Sequence, residues 1–384
     1  MMNRRLAAIV AIAALALSAC SSTPGGSAAA SGASGAGCTV GVSWNNFQQP
    51  RWAAHDKPGI EDTVTGAGGT YIDADADLSN EQQNTDVDTL ISRGADVLIL
   101  LAQDNKAILP ALQKAKDAGV PVIAYDRLIE DPGILYITFD NVLVGKAEAD
   151  AIIKKVPKGN YVLIKGDPGD PNASTFLPQG WDEAGLKDKV ASGDIVILNG
   201  PDGTFTDAWK TEKAQSNMEA IIDKAVADGN KIDAILAEND STALGVVGAL
   251  TAKSYGFPPL SGQDGDPANL NNVALGKQYV DVFKNANELG KAAGAAALKL
   301  CADPKNLALT IQDGLIDASV APTAGLTATD FKTPGGVTVK SFILQPTPLT
   351  AENLQVAIDA GQITKEDLCK GVDVAAATAP AACK

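Results

Sequence analysis

The sequence predicts an α/β protein with two doubly wound parallel-sheet lobes and a ligand cleft between them. Three observations lead there. Apolar runs such as "ADVLILL" and "VPVIAY" are continuous rather than alternating, and helical stretches separate them; this is the pattern of parallel strands covered on both faces. About 345 residues follow the leader and tether described below, more than one core usually holds. Polar clusters stand at the carboxyl ends of most strands, where open α/β sheets bind their ligands.

The first strand spans 39–43 and runs into "NNFQQPRW", with a helix from about Arg51. A second strand, 70–75, precedes Ser79-Asn80-Glu81-Gln82, which has the form of a capping box and sets a helix start at Ser79. That helix carries Val87, Leu90 and Ile91 at helical spacing. "ADVLILL", the helix "NKAILPALQKAKDAG", "VPVIAY" and a strand over 134–139 complete one series. A second of similar size begins after Asn141: a helix over 144–155, "NYVLIKG", a helix around 181–186, "DIVILNG", a helix over 208–227, "IDAILAEN", a helix over 242–253 and a strand near "PPLSGQD".

The amino terminus reads as an export signal. Arg4 and Arg5 precede an apolar run from Leu6 to Leu17, too short to span a bilayer as a helix. Leu17-Ser18-Ala19-Cys20 resembles a lipobox, so residues 1–20 are expected to be a lipoprotein signal with Cys20 as the lipidated residue. Residues 21–37 are almost entirely Ser, Gly, Ala, Thr and Pro and read as a flexible tether. The protein is thus expected to be exported and held at the outer face of the cytoplasmic membrane by lipid alone. Formal net charge is −15, which argues against nucleic acid and anionic lipid as partners.

Other chemistries find little support. His55 is the single histidine, so a histidine-rich metal centre is excluded, and it reads as an ordinary helix residue. Asp73, Asp75 and Asp77 alternate like the start of a calcium loop. Leu78 stands where its glycine belongs and Asn84 where its bidentate glutamate belongs. "GDPGDP" at 166–171 lacks the Lys-Ser/Thr ending of a phosphate loop and reads as a turn. No nucleophile–base pair is visible. Cofactors are expected to be none, and no catalytic or metal residue is assigned. Beyond Cys20, the cysteines Cys38, Cys301, Cys369 and Cys383 suggest two disulfides, with three connectivities open.

The strand-end clusters mix carboxylates, amides, cations and aromatics. Planar polar side chains bond adjacent hydroxyls of a monosaccharide, and aromatic rings cover its C–H faces. A charged group bonded to a neutral hydroxyl makes the stronger hydrogen bond, and a missing hydroxyl leaves a buried partner unpaired at about 1–3 kcal/mol. Arg51 and Trp52 supply one polar edge and one stacking face.

On seven stretches in order, the chain resembles the D-xylose-binding proteins of bacterial ABC importers, within the type I periplasmic-binding proteins for pentoses and hexoses. They are "RW" at 51–52, "SRGADVLIL" at 92–100, "AYDRLIEDP" at 124–132, "YITFDN" at 136–141, "PKGNYVLI" at 157–164, "KIDAILAENDSTALG" at 231–245 and "SGQDGD" at 261–266. The likeness runs from about Thr39 to Leu354. It implies a substrate-binding lipoprotein, a monomer, that closes on D-xylose and delivers it to a permease and its ATPase. The implied ligand set is Asn45, Arg51, Trp52, Asp126, Arg127, Asn172, Asn239, Asp264 and Lys284, with Trp209 or Phe205 as the second aromatic wall. The family places an arginine shortly after the "NA" of the third loop; here Leu177, Pro178 and Gln179 stand there, and Gln179 is the polar candidate for that contact.

The resemblance also implies three crossings between lobes: near Asn141, just after Lys284 and within 305–335. The first lobe is then 38–140 plus about 285–312, and the second 141–284 plus about 313–384. The helix over 287–300 returns to the first lobe, which pairs Cys38 with Cys301 and leaves Cys369 for Cys383; Cys301–Cys369 is the alternative. Two other functions share the features. A sensor of the same fold would present sugar to a kinase or chemoreceptor, and neighbouring genes would separate the two. A glycosidase would use carboxylates such as Asp126, Asp264 or Glu238, set roughly 5–10 Å apart about one bond, and chromogenic glycosides would reveal it.

Overall fold

A seven-stranded sheet forms the first lobe of the computed structural model, which describes residues 35–311, 315–317 and 325–384. The signal, Cys20 and nearly all of the tether lie outside the described residues. In chain order the first strands are β1 (Thr39–Trp44), β2 (Thr70–Asp75), β3 (Val97–Leu100), β4 (Val122–Tyr125) and β5 (Leu135–Phe139). The second series gives β6 (Gly159–Lys165), β7 (Ile195–Ile197), β8 (Thr204–Phe205), β9 (Ala234–Ala237), β10 (Gln263–Asp264) and β11 (Asp281–Phe283). The last part of the chain adds β12 (Thr310–Ile311), β13 (Leu326–Thr327), β14 (Thr329–Lys332), β15 (Thr338–Leu344) and β16 (Thr347–Leu349).

The first sheet runs β14-β15-β5-β4-β3-β1-β2, parallel except for the edge strand β14. The continuous apolar runs are explained by its two covered faces. Val40, Val42, Val97, Ile99, Ile123 and Ile137 pack under the helices Lys57–Gly66 and Ala286–Ala302. Leu98, Leu100, Val122, Ala124 and Tyr136 pack under the helices Asn80–Ser92 and Leu109–Asp117. Ser79 caps the first of these as its spacing predicts, accepting a bond from the Gln82 amide. The Gln82 side chain bonds Asp86, so the reciprocal half of the box is absent.

In the second lobe β6 lies between β7 and β9, and β8 pairs with its carboxyl end. The segment from Pro259 to Gly262 bonds β9 on one side and the chain leading into β11 on the other. The antiparallel β16 closes this edge. Its two faces again alternate: Tyr161, Leu163 and Leu236 on one, Val162, Ile164 and Ile235 on the other.

The chain passes between lobes at three places. After β5 it enters the helix Asn141–Lys155 of the second lobe, and after β11 it enters the helix Ala286–Ala302, which packs on the first. The third passage corrects the expected boundary. β14 and β15 belong to the first sheet, with Lys340–Leu344 in register beside Leu135–Phe139, and the chain returns only through Gln345 and Pro346 to β16. Segment 313–384 is therefore not all second lobe, and the third crossing lies beyond 305–335. The alternation of β15 resembles a hairpin with β14, and nothing local in it names the sheet it joins. Residues 350–384 pack on the second lobe around Leu270, Val273 and Phe283.

Cys38 pairs with Cys301 and Cys369 with Cys383. The first bond ties the start of β1 to the end of the returning helix across 263 residues. Closing so long a loop removes much freedom from the unfolded chain. Cys301→Ser is predicted to lower stability by about 2–4 kcal/mol, read as a drop in melting temperature; an unchanged melt would show that the bond contributes nothing to the fold.

Candidate functional site

Arg51 and Trp52 open a π-helical turn, Trp52–Asp56, directly after the first loop. Asn172 opens a second such turn among the described residues, Asn172–Phe176. π turns are rare and concentrate at functional positions. The first one is set by close packing: a Cβ on Gly290 would lie 2.5 Å from the Asp56 carbonyl, so only glycine lets the helix Ala286–Ala302 approach here. Asp56, wholly buried, holds the Arg51 guanidinium through Nε at 3.1 Å and Nη2 at 2.9 Å, and accepts a 2.6 Å bond from the Tyr125 hydroxyl. Arg51 also stacks 4.2 Å over the Trp52 ring.

The free edge of Arg51 points across the cleft. Its Nη1 donates to Asp264 at 2.8 Å, and its Nη2 lies 3.4 Å from Asp126. Lys284, at the end of β11, stands 3.4 Å from both carboxylates. Two cations and two carboxylates thus alternate around a square with almost no water contact. Beside it Arg127 of the first lobe pairs with Asp170 of the second at 3.1 Å. Asn172 accepts from Asn141 at 3.0 Å and donates to the Asp126 carbonyl at 3.4 Å.

These side chains line one small space: Gln49, Arg51, Trp52, Asp126, Arg127, Asp170, Asn172, Trp209, Asn239, Gln263, Asp264 and Lys284. Its walls carry buried polar atoms without a protein partner: Gln49 Nε2, Trp52 Nε1, Trp209 Nε1 and Gln263 Oε1. Such groups cost about 1–3 kcal/mol each when left unpaired, and a polar solute would satisfy them. Asp126, Trp209 and Asp264 take positive φ, +59°, +58° and +110°, a conformation that stores strain at functional positions. The Trp209 ring is fixed against Gly166, where a Cβ would lie 2.2 Å from it.

Nine residues expected from the sequence line this space: Arg51, Trp52, Asp126, Arg127, Asn172, Trp209, Asn239, Asp264 and Lys284. Asn239 also caps the helix Asp240–Ala252, its Oδ1 accepting from Thr242 at 2.9 Å. Two expected residues lie elsewhere. Asn45 donates to Gln103 at 3.2 Å, tying the first loop to the loop after β3. The Phe205 ring lies 4.2 Å under the Lys165 ammonium, leaving Trp209 as the aromatic wall of that loop. Gln179 is exposed and bonds Glu183, so it does not replace the missing arginine. The expected ligand set lacked Gln49, Asp170 and Gln263; Asp170 and Gln263 belong to the strand-end polar clusters, whereas Gln49, in the loop after β1, was missed. Glu238 lies outside the lining, accepting from the Gly166 amide at 2.7 Å.

Electrostatics divide the site. Burial works to raise Asp126, but Lys284, Arg51 and Arg127 outweigh it and hold the carboxyl below its usual range. Behind Asp264 the balance reverses. Burial, with Asp264 and Asp281 nearby, pushes Asp266 up to about 8. Burial likewise lifts Asp281 to about 7, against its bond to Asp240. Groups raised in the fold bind more protons folded than unfolded, so their contribution is full below their unfolded values and lost as pH rises through about 7–8. The melting temperature without ligand is predicted to fall between about pH 6 and pH 9, less steeply in Asp266→Asn. A melt that rises over that range would contradict the assignment.

Comparison with known proteins gives the family and the fold. Residues 40–305 match the profile of the periplasmic binding protein domain. The D-xylose-binding periplasmic protein of Escherichia coli (strain K12) is 34% identical over 263 residues, 68% of this chain and 77% of that one. An ABC transporter solute-binding protein from Clostridium phytofermentans, solved with bound β-D-glucose, superposes with a TM-score of 0.74 at 32% identity, covering 86% of this chain and 99% of that one. A carbohydrate transporter solute-binding protein from Chloroflexus aurantiacus, in complex with D-glucose, gives 0.72 at 26% identity, over 85% and 97%.

Proposed function

Because the chain belongs to the periplasmic binding protein family, we propose that it is the solute-binding protein of an ABC carbohydrate importer and binds one monosaccharide, D-xylose, by closing its lobes. The observation that carries this reading is the charge balance of the cavity. Three cations and three carboxylates line it, and they pair as Arg51–Asp264, Lys284–Asp126 and Arg127–Asp170. Among the lining side chains the formal charges cancel, and the one further carboxylate in the network, Asp56, is engaged by Arg51 from behind. What remains is a ring of charged and amide groups that bond neutral hydroxyls strongly, with Trp52 and Trp209 for the C–H faces. D-xylose is preferred because a relative named as a D-xylose-binding periplasmic protein shares 34% identity over 263 residues.

Each pair joins groups from different lobes or from a lobe and a crossing strand. Closure therefore assembles the site, and a ligand that touches both lobes shifts the population toward the closed state. The closed form would then present sugar to a permease and its ATPase, with Cys20 holding the protein at the membrane. The chain acts as a binder and not as an enzyme. Asp126 and Asp264 are each tied to cations, where a glycosidase needs one carboxyl free as a proton donor.

Tryptophan fluorescence titrated with xylose, glucose, galactose, arabinose and ribose tests the reading, since Trp52 and Trp209 line the cavity. A saturable change is expected with D-xylose, weakened at least about 100-fold in Asp264→Ala, which leaves Arg51 without its partner across the cleft. No response and no thermal stabilisation with any of the five would overturn it.

A further inference from the structure

The loop that carries Asp264 is held from outside the cavity. Asp264 sits at φ +110° and Gly265 at +84°, and a side-chain-bearing residue keeps such a backbone only where its surroundings fix it. Every polar atom of Gly265 is taken by a buried side chain. Its amide donates to Asp240 Oδ2 at 3.0 Å and Asp281 Oδ1 at 3.1 Å, and the next amide, of Asp266, donates to the same Asp240 oxygen at 2.7 Å. Its carbonyl accepts from Gln362 Nε2 at 2.9 Å. Gln362 comes from the carboxyl-terminal tail, 97 residues away, and is 4% exposed.

The tail is itself pinned there. Asn271, in the helix Pro267–Ala274 that follows the loop, donates to the carbonyls of Leu368 at 2.9 Å and Lys370 at 3.0 Å. Cys369 is bonded to Cys383, and Ile363 and Leu368 pack with Leu270 and Val273. The tail lies beyond residues 40–305 of the family match.

We propose that the tail is part of the binding machinery, with Gln362 as a positioning residue that sets the backbone of Asp264 and so the reach of its carboxylate to ligand and to Arg51. This rests on the sugar-binding reading above. Gln362 is not among the residues lining the cavity; it acts through Gly265. The ionisable groups around that loop are Asp240 on its helix, Asp264 and Asp266 in the loop, Asp281 on β11 and Arg51 from the facing lobe.

The test uses the full chain with D-xylose and D-glucose as probes. Gln362→Met removes the donor and keeps the bulk; it is expected to weaken binding about tenfold, with the melting temperature lowered by a few degrees for the orphaned Gly265 carbonyl and amide exchange faster in 262–267. In an Asp264→Asn background the same change should cost less, since the two act as one unit. Gln362→Glu puts a carboxyl at a buried position beside the loop held by Asp240 and Asp281, where burial and like charge raise it above the ordinary range; it should bind poorly at about pH 8 and recover toward wild type at about pH 5, where the protonated carboxyl again donates to the Gly265 carbonyl. Wild-type affinity in both variants, or a Gln362→Glu defect equal at both pH values, would overturn the proposal. If the wild type binds neither sugar, the sugar reading fails while exchange decides this one: unchanged exchange at 262–267 in Gln362→Met overturns it and faster exchange there supports it.

Discussion

Four buried charges organise the molecule: Arg51 and Lys284 against Asp126 and Asp264, alternating at 2.8–3.4 Å. Taking them out of water is costly, and removing one partner from such a set costs about 3–5 kcal/mol because the others stay buried. The fold therefore has to deliver all four to one place. It does so from four separate strand ends: the loop after β1, the end of β4, β10 and the end of β11. Two of the four come from each half of the chain, so the set exists only when the lobes meet. Asp56 and Tyr125 hold Arg51 from behind, and Asp240, Asp281 and Gln362 hold the Asp264 loop. The deeper residues are there to make that square affordable.

The same arrangement explains why the site suits a neutral solute. Each cation already faces a carboxylate, so the field inside largely cancels. A hydroxyl can insert as donor to a carboxylate and acceptor from a cation without disturbing the balance, whereas an ionised ligand would leave one charge of the ring unpaired in a low-dielectric space. Selectivity follows from geometry: the positive φ values at Asp126, Trp209 and Asp264 fix where three of the walls stand, and a ligand lacking a matching hydroxyl leaves a buried group unsatisfied.

Much of this was legible in the sequence because parallel sheets write their strands as continuous apolar runs and collect polar residues at one end of them. Arg51, Asp126, Asp264 and Lys284 all stand in such positions, and so do Trp52 and Trp209. What was not legible depends on contacts distant in the chain. Asn45 sits at a strand end like the others, yet Gln103, 58 residues on, takes its side chain. Phe205 and Trp209 share one loop, and only the packing against Gly166 decides which ring faces inward. β15 carries no local mark of the sheet it joins, which misplaced the third crossing. The bond from Gln362 to Gly265 spans 97 residues, and no periodicity or motif announces it.

A cavity whose lining charges are paired should select a neutral sugar. Calorimetric titration of one preparation with D-xylose, D-glucose, D-glucuronate and D-glucosamine tests it most directly. Saturable binding of a neutral sugar is expected, and none of the anionic or cationic one under the same conditions. Tighter binding of glucuronate or glucosamine than of either neutral sugar would contradict it, because the paired charges around the cavity would then not be balanced in the way the structure shows.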